Sequence, residues 1–309
     1  MNRRGSGTDL STRVGSVALA NPVMTASGTA GHGAELARYL DLSTLGAVVV
    51  KSLSAEPWAG NPPPRVHETP AGMLNSVGLQ NPGVEAWLDG ELAALLDAGA
   101  VVVASIWGFT VEAYAKAAAV LAGAPGVAAV EVNLSCPNVE SRRAMFAHNA
   151  SATREAVEAS AACGLPRWAK LSPNVTDLVE IVDAAVAGGA EAVTLVNTVM
   201  GMAIDVEARR PVLGAGGGGL SGAAIHPIAV RAVHDVHAER PAVPIVGVGG
   251  VTTAADAVEL LLAGACAVEV GTATFRDPRA AGRIVRDLAG WCGRHGVRRV
   301  ADLIGAIHE

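Results

Sequence analysis

Eight short β-rich runs, each followed by an Ala-rich helical stretch, constrain this chain more than any other feature. The runs are NPVMTAS (21–27), GAVVVKS (46–52), AVVVASIW (100–107), AAVEVNLS (128–135), RWAKLS (167–172), AVTLVNT (192–198), VPIVGVGG (243–250) and AVEVGTA (267–273). Most are continuous Val/Ala/Ile runs, the pattern of strands covered on both faces. Helical stretches fall near 34–40, 84–97, 110–122, 151–163, 176–188, 226–238, 253–264 and 278–294. Two architectures suit such alternation, a (β/α)8 TIM barrel and an open doubly wound sheet. The count of eight in one unbroken pattern favours the barrel. The 309 residues suit one barrel of about 250 residues plus loops. No interdomain linker divides them, so a single domain over 1–309 is expected. TRVGSVAL (12–19) precedes the first strand and is expected to form a short N-terminal hairpin closing the barrel's other end.

Composition narrows the function classes. Half the residues are apolar but only 3% are aromatic, so the core must be built from Ala, Val, Leu and Ile. The formal net charge is −6 and no basic tract stands out, which speaks against nucleic acid as a partner. Mean hydropathy is +0.36, yet no apolar run reaches the ~20 residues of a membrane helix. The opening MNRRGSGTDL has no apolar stretch behind it and reads as no signal peptide. Cysteines stand at 136, 163, 266 and 292, with no C-x-x-C pair. A reduced, cytoplasmic protein without its own iron–sulfur cluster or metal site is the simplest reading.

The chain has 23 basic residues, of which only Lys51, Lys116 and Lys170 are lysines. Lys offers a compact charge on a thin stem where Arg offers a wide fork. Lys116 lies in the amphipathic VEAYAKAAAV and reads as a solvated surface charge. The other two end strands. In order, the strand ends are Ser27, Lys51–Ser52, Ser105, Asn133, Lys170, Asn197–Thr198, Gly249–Gly250 and Gly271–Thr272. In a barrel these side chains converge at the C-terminal mouth. Polar residues where loops begin are ordinary, but two of three lysines at one rim are not so easily explained. A buried Lys needs an anionic or electron-rich partner.

The last two strands suggest that partner. VGVGGVTTAAD places two glycines after the seventh strand and then Thr252 and Thr253 as helix caps. Glycines let backbone N–H groups approach a phosphate, and a helix N-terminus favours the anion. Loops seven and eight are the recurrent phosphate site of barrels. Gly222, in GLSG, can join it.

The fourth strand runs into Asn133-Leu-Ser-Cys136-Pro-Asn138, two amides flanking a cysteine. Cys163, Cys266 and Cys292 read as small buried filler. Cys136 lies in a polar loop and suits a nucleophile or a general base. An ordinary thiol of pKa ~8.5 is only about 3% thiolate at pH 7. No His stands near it in sequence, His148 being the closest, which favours the base. The segment 53–83, which holds GNPPPRVHETPAGMLNSVGLQNPG (60–83), is stiffened by prolines. It is expected to present Asn75, Gln80 and Asn81 over the mouth, the alternative being a rigid lid that only packs.

These residues resemble the class 1 dihydroorotate dehydrogenases. The resemblance runs from NPVMTASGT to GVRRVADLIG and rests on KSLSAEPWAGNPPPRVHETPAGMLNSVGLQNPG, NLSCPN, NTVMGMAIDVEARRPVLG, GGLSG and GVGG. The GNPPPR…ETPAGMLNS form is more similar to the NAD-linked subclass 1B than to the fumarate-linked 1A. Class 2 enzymes carry a hydrophobic N-terminal extension and a serine base, neither of which is present.

The resemblance implies one FMN per barrel and oxidation of dihydroorotate to orotate in pyrimidine biosynthesis. Cys136 would take the C5 proton while C6 gives a hydride to the flavin. Lys51, Asn75, Gly78, Leu79, Asn133, Asn138, Asn197 and Thr198 would hold the substrate. Ser27, Lys51, Ser52, Ser105, Asn133, Lys170, Val196, Gly222, Gly249, Gly250, Gly271 and Thr272 would hold FMN, with Lys170 against the flavin's N1/O2 edge. It also implies a homodimer, joined into a heterotetramer by a subunit that carries FAD and a [2Fe–2S] cluster and passes electrons to NAD+. Fumarate or another acceptor without that subunit is the alternative within the enzyme class. A non-catalytic flavin-binding assembly subunit is the alternative outside it. Three places depart from the family pattern. Ser105 stands where Asn is frequent, VESRRAMFAHNA is more basic and less glycine-rich, and Val77 is a mild aliphatic change.

Overall fold

The computed structural model describes residues 7–135 and 145–308. The chain enters through β1 (Thr12–Val14) and β2 (Val17–Leu19), an antiparallel hairpin, then forms β3 (Val23–Thr25) and β4 (Ala47–Val49). A hairpin of β5 (Val66–Thr69) and β6 (Gly72–Asn75) leads to α1 (Val84–Asp97). Strands and helices then alternate: β7 (Val102–Ile106), α2 (Val111–Val120), β8 (Val127–Asn133), α3 (Ala150–Ala159), β9 (Arg167–Lys170), α4 (Leu178–Ala187) and β10 (Ala192–Leu195). Four short strands follow, β11 (Val199–Gly201), β12 (Ile204–Asp205), β13 (Arg210–Pro211) and β14 (Gly218–Ser221). The chain finishes with α5 (His226–Glu239), β15 (Ile245–Val248), α6 (Ala254–Ala263), β16 (Ala267–Val270), α7 (Ala273–Arg276) and α8 (Ala280–Arg294).

Strands β3, β4, β7, β8, β9, β10, β15 and β16 close into a parallel barrel in that order, each beside its predecessor. This is the expected (β/α)8 barrel, and the strands lie within the runs read from the sequence except that β8 begins one residue earlier, at Val127. The first helical stretch differs. Residues 34–40 form only a single 3-10 turn, Glu35–Arg38. Too few residues stand between Gly33 and Asp41 to repay helix nucleation. The Glu35 carboxylate is used locally, accepting from the His32 and Gly33 amides.

Strand alternation sorts side chains into two cores. Residues such as Val23, Val48, Val102, Val130, Ala169, Val193, Ile245 and Val268 pack outward against the helices. Met24, Val49, Val103, Ala129, Trp168, Ala192, Val246 and Ala267 make an inner apolar ring, one from each strand, with Val14 and Leu19 of the hairpin against it. The hairpin therefore plugs the N-terminal end, as expected, tied by Thr12 Oγ1 to the Cys266 carbonyl at 2.8 Å. Apolar filling at the bottom leaves the C-terminal mouth for polar groups.

The two long loops do not stand apart. β11, β14, β6 and β5 join into one four-stranded antiparallel sheet, with Gly219 opposite Asn75 and Leu220 opposite Leu74. Segments far apart in sequence thus build one wall beside the barrel mouth. Gly72 fits there because an added Cβ would lie 1.9 Å from the Ser221 carbonyl oxygen.

Candidate active site

At the mouth lies a cavity of about 610 Å3, well within the size of small-molecule sites. Its floor is made two residues beyond the apolar ring on each strand. Lys51 follows Val49, Lys170 follows Trp168, and the wall carries Ala26 and Val248. Above them stand Asn133, Val196, Asn197 and Thr198, and the antiparallel sheet contributes Asn75.

A chain of short contacts fixes this side. Ser52 Oγ lies 3.2 Å from Ser27 Oγ and 2.9 Å from Ser105 Oγ, and it accepts from Asn133 Nδ2 at 3.0 Å. Tyr114 of α2 donates to the Asn133 carbonyl at 2.7 Å, so the helix layer clamps the end of β8. Asn197 Nδ2 approaches Asn133 Oδ1 at 3.3 Å, and Asn197 Oδ1 accepts from the Thr198 amide. Asn174 braces the same turn, donating to the Thr198 carbonyl and accepting from the Met200 amide. These asparagines are therefore held in place by contacts within the protein itself.

The opposite wall is glycine. Gly222, Gly249 and Gly250 have φ of +97°, +143° and +69°. A Cβ on Gly250 would meet His226 Cβ at 2.7 Å and the Gly222 carbonyl oxygen at 2.9 Å. Only glycine lets the backbone pass there. His226 Nδ1 donates to the Gly249 carbonyl at 2.7 Å, and Thr272 Oγ1 donates to Ser221 Oγ at 2.8 Å. Thr253 caps α6 as expected, but in a capping box with Asp256, whose carboxylate takes the Thr252 and Thr253 amides. Those two amides are thus occupied by protein.

In the floor, Lys170 Nζ lies 2.8 Å from Glu269 Oε2 and 3.4 Å from Glu131 Oε1. Both glutamates are fully buried and Lys170 is 5% exposed. Burial works against the Lys170 ammonium, but the two carboxylates outweigh it and hold its pKa above the ordinary value. Burial pushes Glu269 well above the carboxylate range, and the neighbouring Glu131 pushes it further.

The sequence-derived candidates fall as follows. Ser27, Lys51, Ser52, Asn75, Gly78, Leu79, Asn133, Lys170, Val196, Asn197, Thr198, Gly222, Gly249, Gly250, Gly271 and Thr272 all line the one cavity. Leu79 takes φ +63°, a left-handed conformation rare for a branched residue, directly at the wall. Ser105 is buried behind Ser52 and does not line the cavity. Cys136 and Asn138 lie outside the described residues. Of the three amides expected over the mouth, only Asn75 reaches it. Gln80 accepts from Arg65, and Asn81 braces the loop by accepting from the Ser54 and Gly83 amides. Lys116 is an exposed surface charge, as expected, paired with Glu56. Cys163, Cys266 and Cys292 are buried, and burial raises each thiol, Cys266 to about 11.

Sequence reasoning missed Glu131 and Glu269. Each sits inside a Val-Glu-Val triplet and reads as part of a strand. A charged residue in a strand covered on both faces is the signal that could have found them. It also missed the aromatic flank, where Trp58 and Phe109 reach the cavity and pack edge-on at 5.2 Å.

Fold and site together define a (β/α)8 barrel enzyme with its chemistry at the C-terminal mouth. Residues 9–291 match the family model described as dihydroorotate dehydrogenase. The chain is 48% identical over 300 residues to the dihydroorotate dehydrogenase B (NAD(+)) catalytic subunit of Geobacter sp. (strain M21), covering 97% of this chain and 98% of that one. It is 50% identical over 297 residues to the subunit of the same name from Desulforudis audaxviator, covering 96% of each. The chain belongs to the dihydroorotate dehydrogenase family, a family of oxidoreductases. Among the described residues no helix is long and apolar enough to cross a membrane.

Proposed function

We propose that this chain is the FMN-binding catalytic subunit of an NAD-linked dihydroorotate dehydrogenase, oxidising (S)-dihydroorotate to orotate in pyrimidine biosynthesis. The observation that carries the reading is the convergence of Lys51, Lys170, Asn75, Asn133, Asn197 and a glycine wall on one cavity, in a chain of that family. The residues present fit FMN. The turns at Gly222, Gly249 and Gly250 are too close to their neighbours for any side chain, which suits a phosphate approached by backbone. Ser27, Ser52, Val196, Gly271 and Thr272 would line the rest of the cofactor, with Ser105 supporting Ser52 from behind.

When bound, FMN supplies the acceptor for the hydride that leaves C6 of dihydroorotate. Lys170, held as an ammonium, would offer positive charge to offset the negative charge that reduction adds. Lys51 and the amides of Asn75, Asn133, Asn138 and Asn197, with Thr198, Gly78 and Leu79, orient the ring and its carboxylate. The Cys136 thiolate takes the C5 proton, so a C5–H and a C6–H bond break as the C5=C6 double bond of orotate forms.

The whole chain would act as one FMN-binding domain. Its described cysteines are single, buried and separate, so FAD and a [2Fe–2S] cluster would come from a second subunit that hands electrons to NAD+. Relatives named as catalytic subunits support such a partner. A homodimer within a heterotetramer, in the cytoplasm, fits this assignment. The test is to express the chain alone and assay acceptors. It should oxidise dihydroorotate with an artificial dye but reduce NAD+ poorly, and an iron–sulfur flavoprotein partner should restore NAD+ reduction. Fast NAD+ turnover by the pure chain would sink the two-subunit assignment.

A further inference from the structure

The barrel floor holds the Lys170 ammonium against two fully buried carboxylates. Two residues beyond the apolar ring, the other strands bring Ala26, Lys51, Ser105, Thr194 and Val248, and of these only Lys51 is charged. His226 is also buried but belongs to α5, bonded to the Gly249 carbonyl and to Glu259. Lys170 donates to one oxygen of each glutamate. The remaining oxygens, Glu131 Oε2 and Glu269 Oε1, are buried with no hydrogen-bond partner. The two carboxyl groups converge on one ammonium, Glu269 at 2.8 Å and Glu131 at 3.4 Å from Lys170 Nζ.

We propose that Glu131 and Glu269 share one proton and act as positioning residues for Lys170, keeping the three groups at zero net charge. One proton held by the two carboxyl groups would remove one of the two buried negative charges and give the orphaned oxygens a hydrogen to share. Without it, two adjacent carboxylates would face one ammonium at a site shielded from water, which is strongly unfavourable. Burial and the charge of Glu131 both push the Glu269 carboxyl toward its neutral form, against the pull of Lys170. With one carboxylate and not two offsetting it, the Lys170 ammonium keeps a defined position and charge below the cavity.

The role of the pair toward the cofactor rests on the placement of FMN in this cavity, but the proton itself can be observed without flavin. Infrared spectroscopy of the flavin-free protein at neutral pH should show a carboxylic-acid C=O band that shifts in D2O. The band should vanish in Glu269→Gln and equally in Glu131→Gln, because either change leaves one carboxylate opposite Lys170. Absence of the band, or a band that survives both substitutions, would overturn the proposal. In the FMN-loaded protein, each single substitution should leave the flavin midpoint potential close to that of the parent. The double substitution should raise it, since the ammonium is then unopposed. If both carboxylates were ionised, each single change would raise the potential by a similar step, and the proposal would fail. A protein that shows the band but binds no FMN would refute the cofactor assignment and leave the shared proton standing.

Discussion

Lys170 Nζ lies 2.8 Å from Glu269 Oε2, although their strands β9 and β16 are three places apart around the barrel. The side chain therefore spans the barrel interior and ties distant strands together beneath the cavity. Replacing Lys170 removes the cation that sits between two buried carboxylates. Lys170→Ala should slow anaerobic flavin reduction by dihydroorotate, and breaking the buried ion pair should destabilise the fold by about 3–5 kcal/mol. Stopped-flow bleaching and denaturant unfolding read the two effects separately. A normal bleaching rate in a variant that retains FMN would remove Lys170 from the mechanism.

Glu269 makes stability depend on pH with a definite sign. Its folded pKa lies well above the unfolded value, first through burial and then through Glu131. Across the window above the ordinary carboxyl pKa, the native state binds a proton that the unfolded chain has lost. Its contribution is therefore full in acid and is lost as pH rises through the folded pKa. Glu269→Gln lacks this loss. Its melting temperature relative to the parent should climb as pH rises above the ordinary carboxyl range, and a difference flat with pH would contradict the raised pKa.

Ser52 is the hub of the hydroxyl–amide chain, touching Ser27, Ser105 and Asn133. Ser52→Ala withdraws a partner from the buried Ser105 and Asn133 side chains, a loss of about 1–3 kcal/mol. Thermal unfolding should show it, together with a higher KM for dihydroorotate as Asn133 loosens. Unchanged stability would mean that water fills the gap.

How far the sequence reveals this site varies by residue. The barrel is legible because eight apolar runs give way to loops at residues such as Lys51, Asn133 and Lys170, a pattern set by burial on both strand faces. The wall formed by β5, β6, β11 and β14 is not, because its pairing of Asn75 with Gly219 is a long-range contact that neither segment signals alone. Gln80 and Asn81 fall elsewhere than expected for a related reason. An amide in a polar loop serves the fold as readily as a ligand, and here Arg65, Ser54 and Gly83 take them. Ser105 ends a strand at the rim but points its hydroxyl to Ser52. The Glu131–Glu269 pair requires knowing that β8 and β16 face the same interior.

Gly250 probes the proposed phosphate site. Its φ of +69° and the 2.7 Å approach of an added Cβ to His226 leave no room for a side chain. Gly250→Ala should cost about 1–3 kcal/mol of backbone strain and weaken FMN retention on gel filtration. Full retention of FMN would place the phosphate elsewhere.

The central claim is that this chain oxidises dihydroorotate through a thiol base and a bound flavin. Stopped-flow bleaching of the FMN-loaded protein by dihydroorotate, followed against pH, tests it most directly. The parent should bleach at a rate that rises with pH through one thiol ionisation. Cys136→Ser should be slower by roughly 10²–10⁴-fold at neutral pH and recover partly at high pH, with Cys136→Ala slower still and orotate binding largely retained. Wild-type rates in Cys136→Ala at every pH would contradict the thiol base, and a flavin that dihydroorotate never bleaches would contradict the assignment itself.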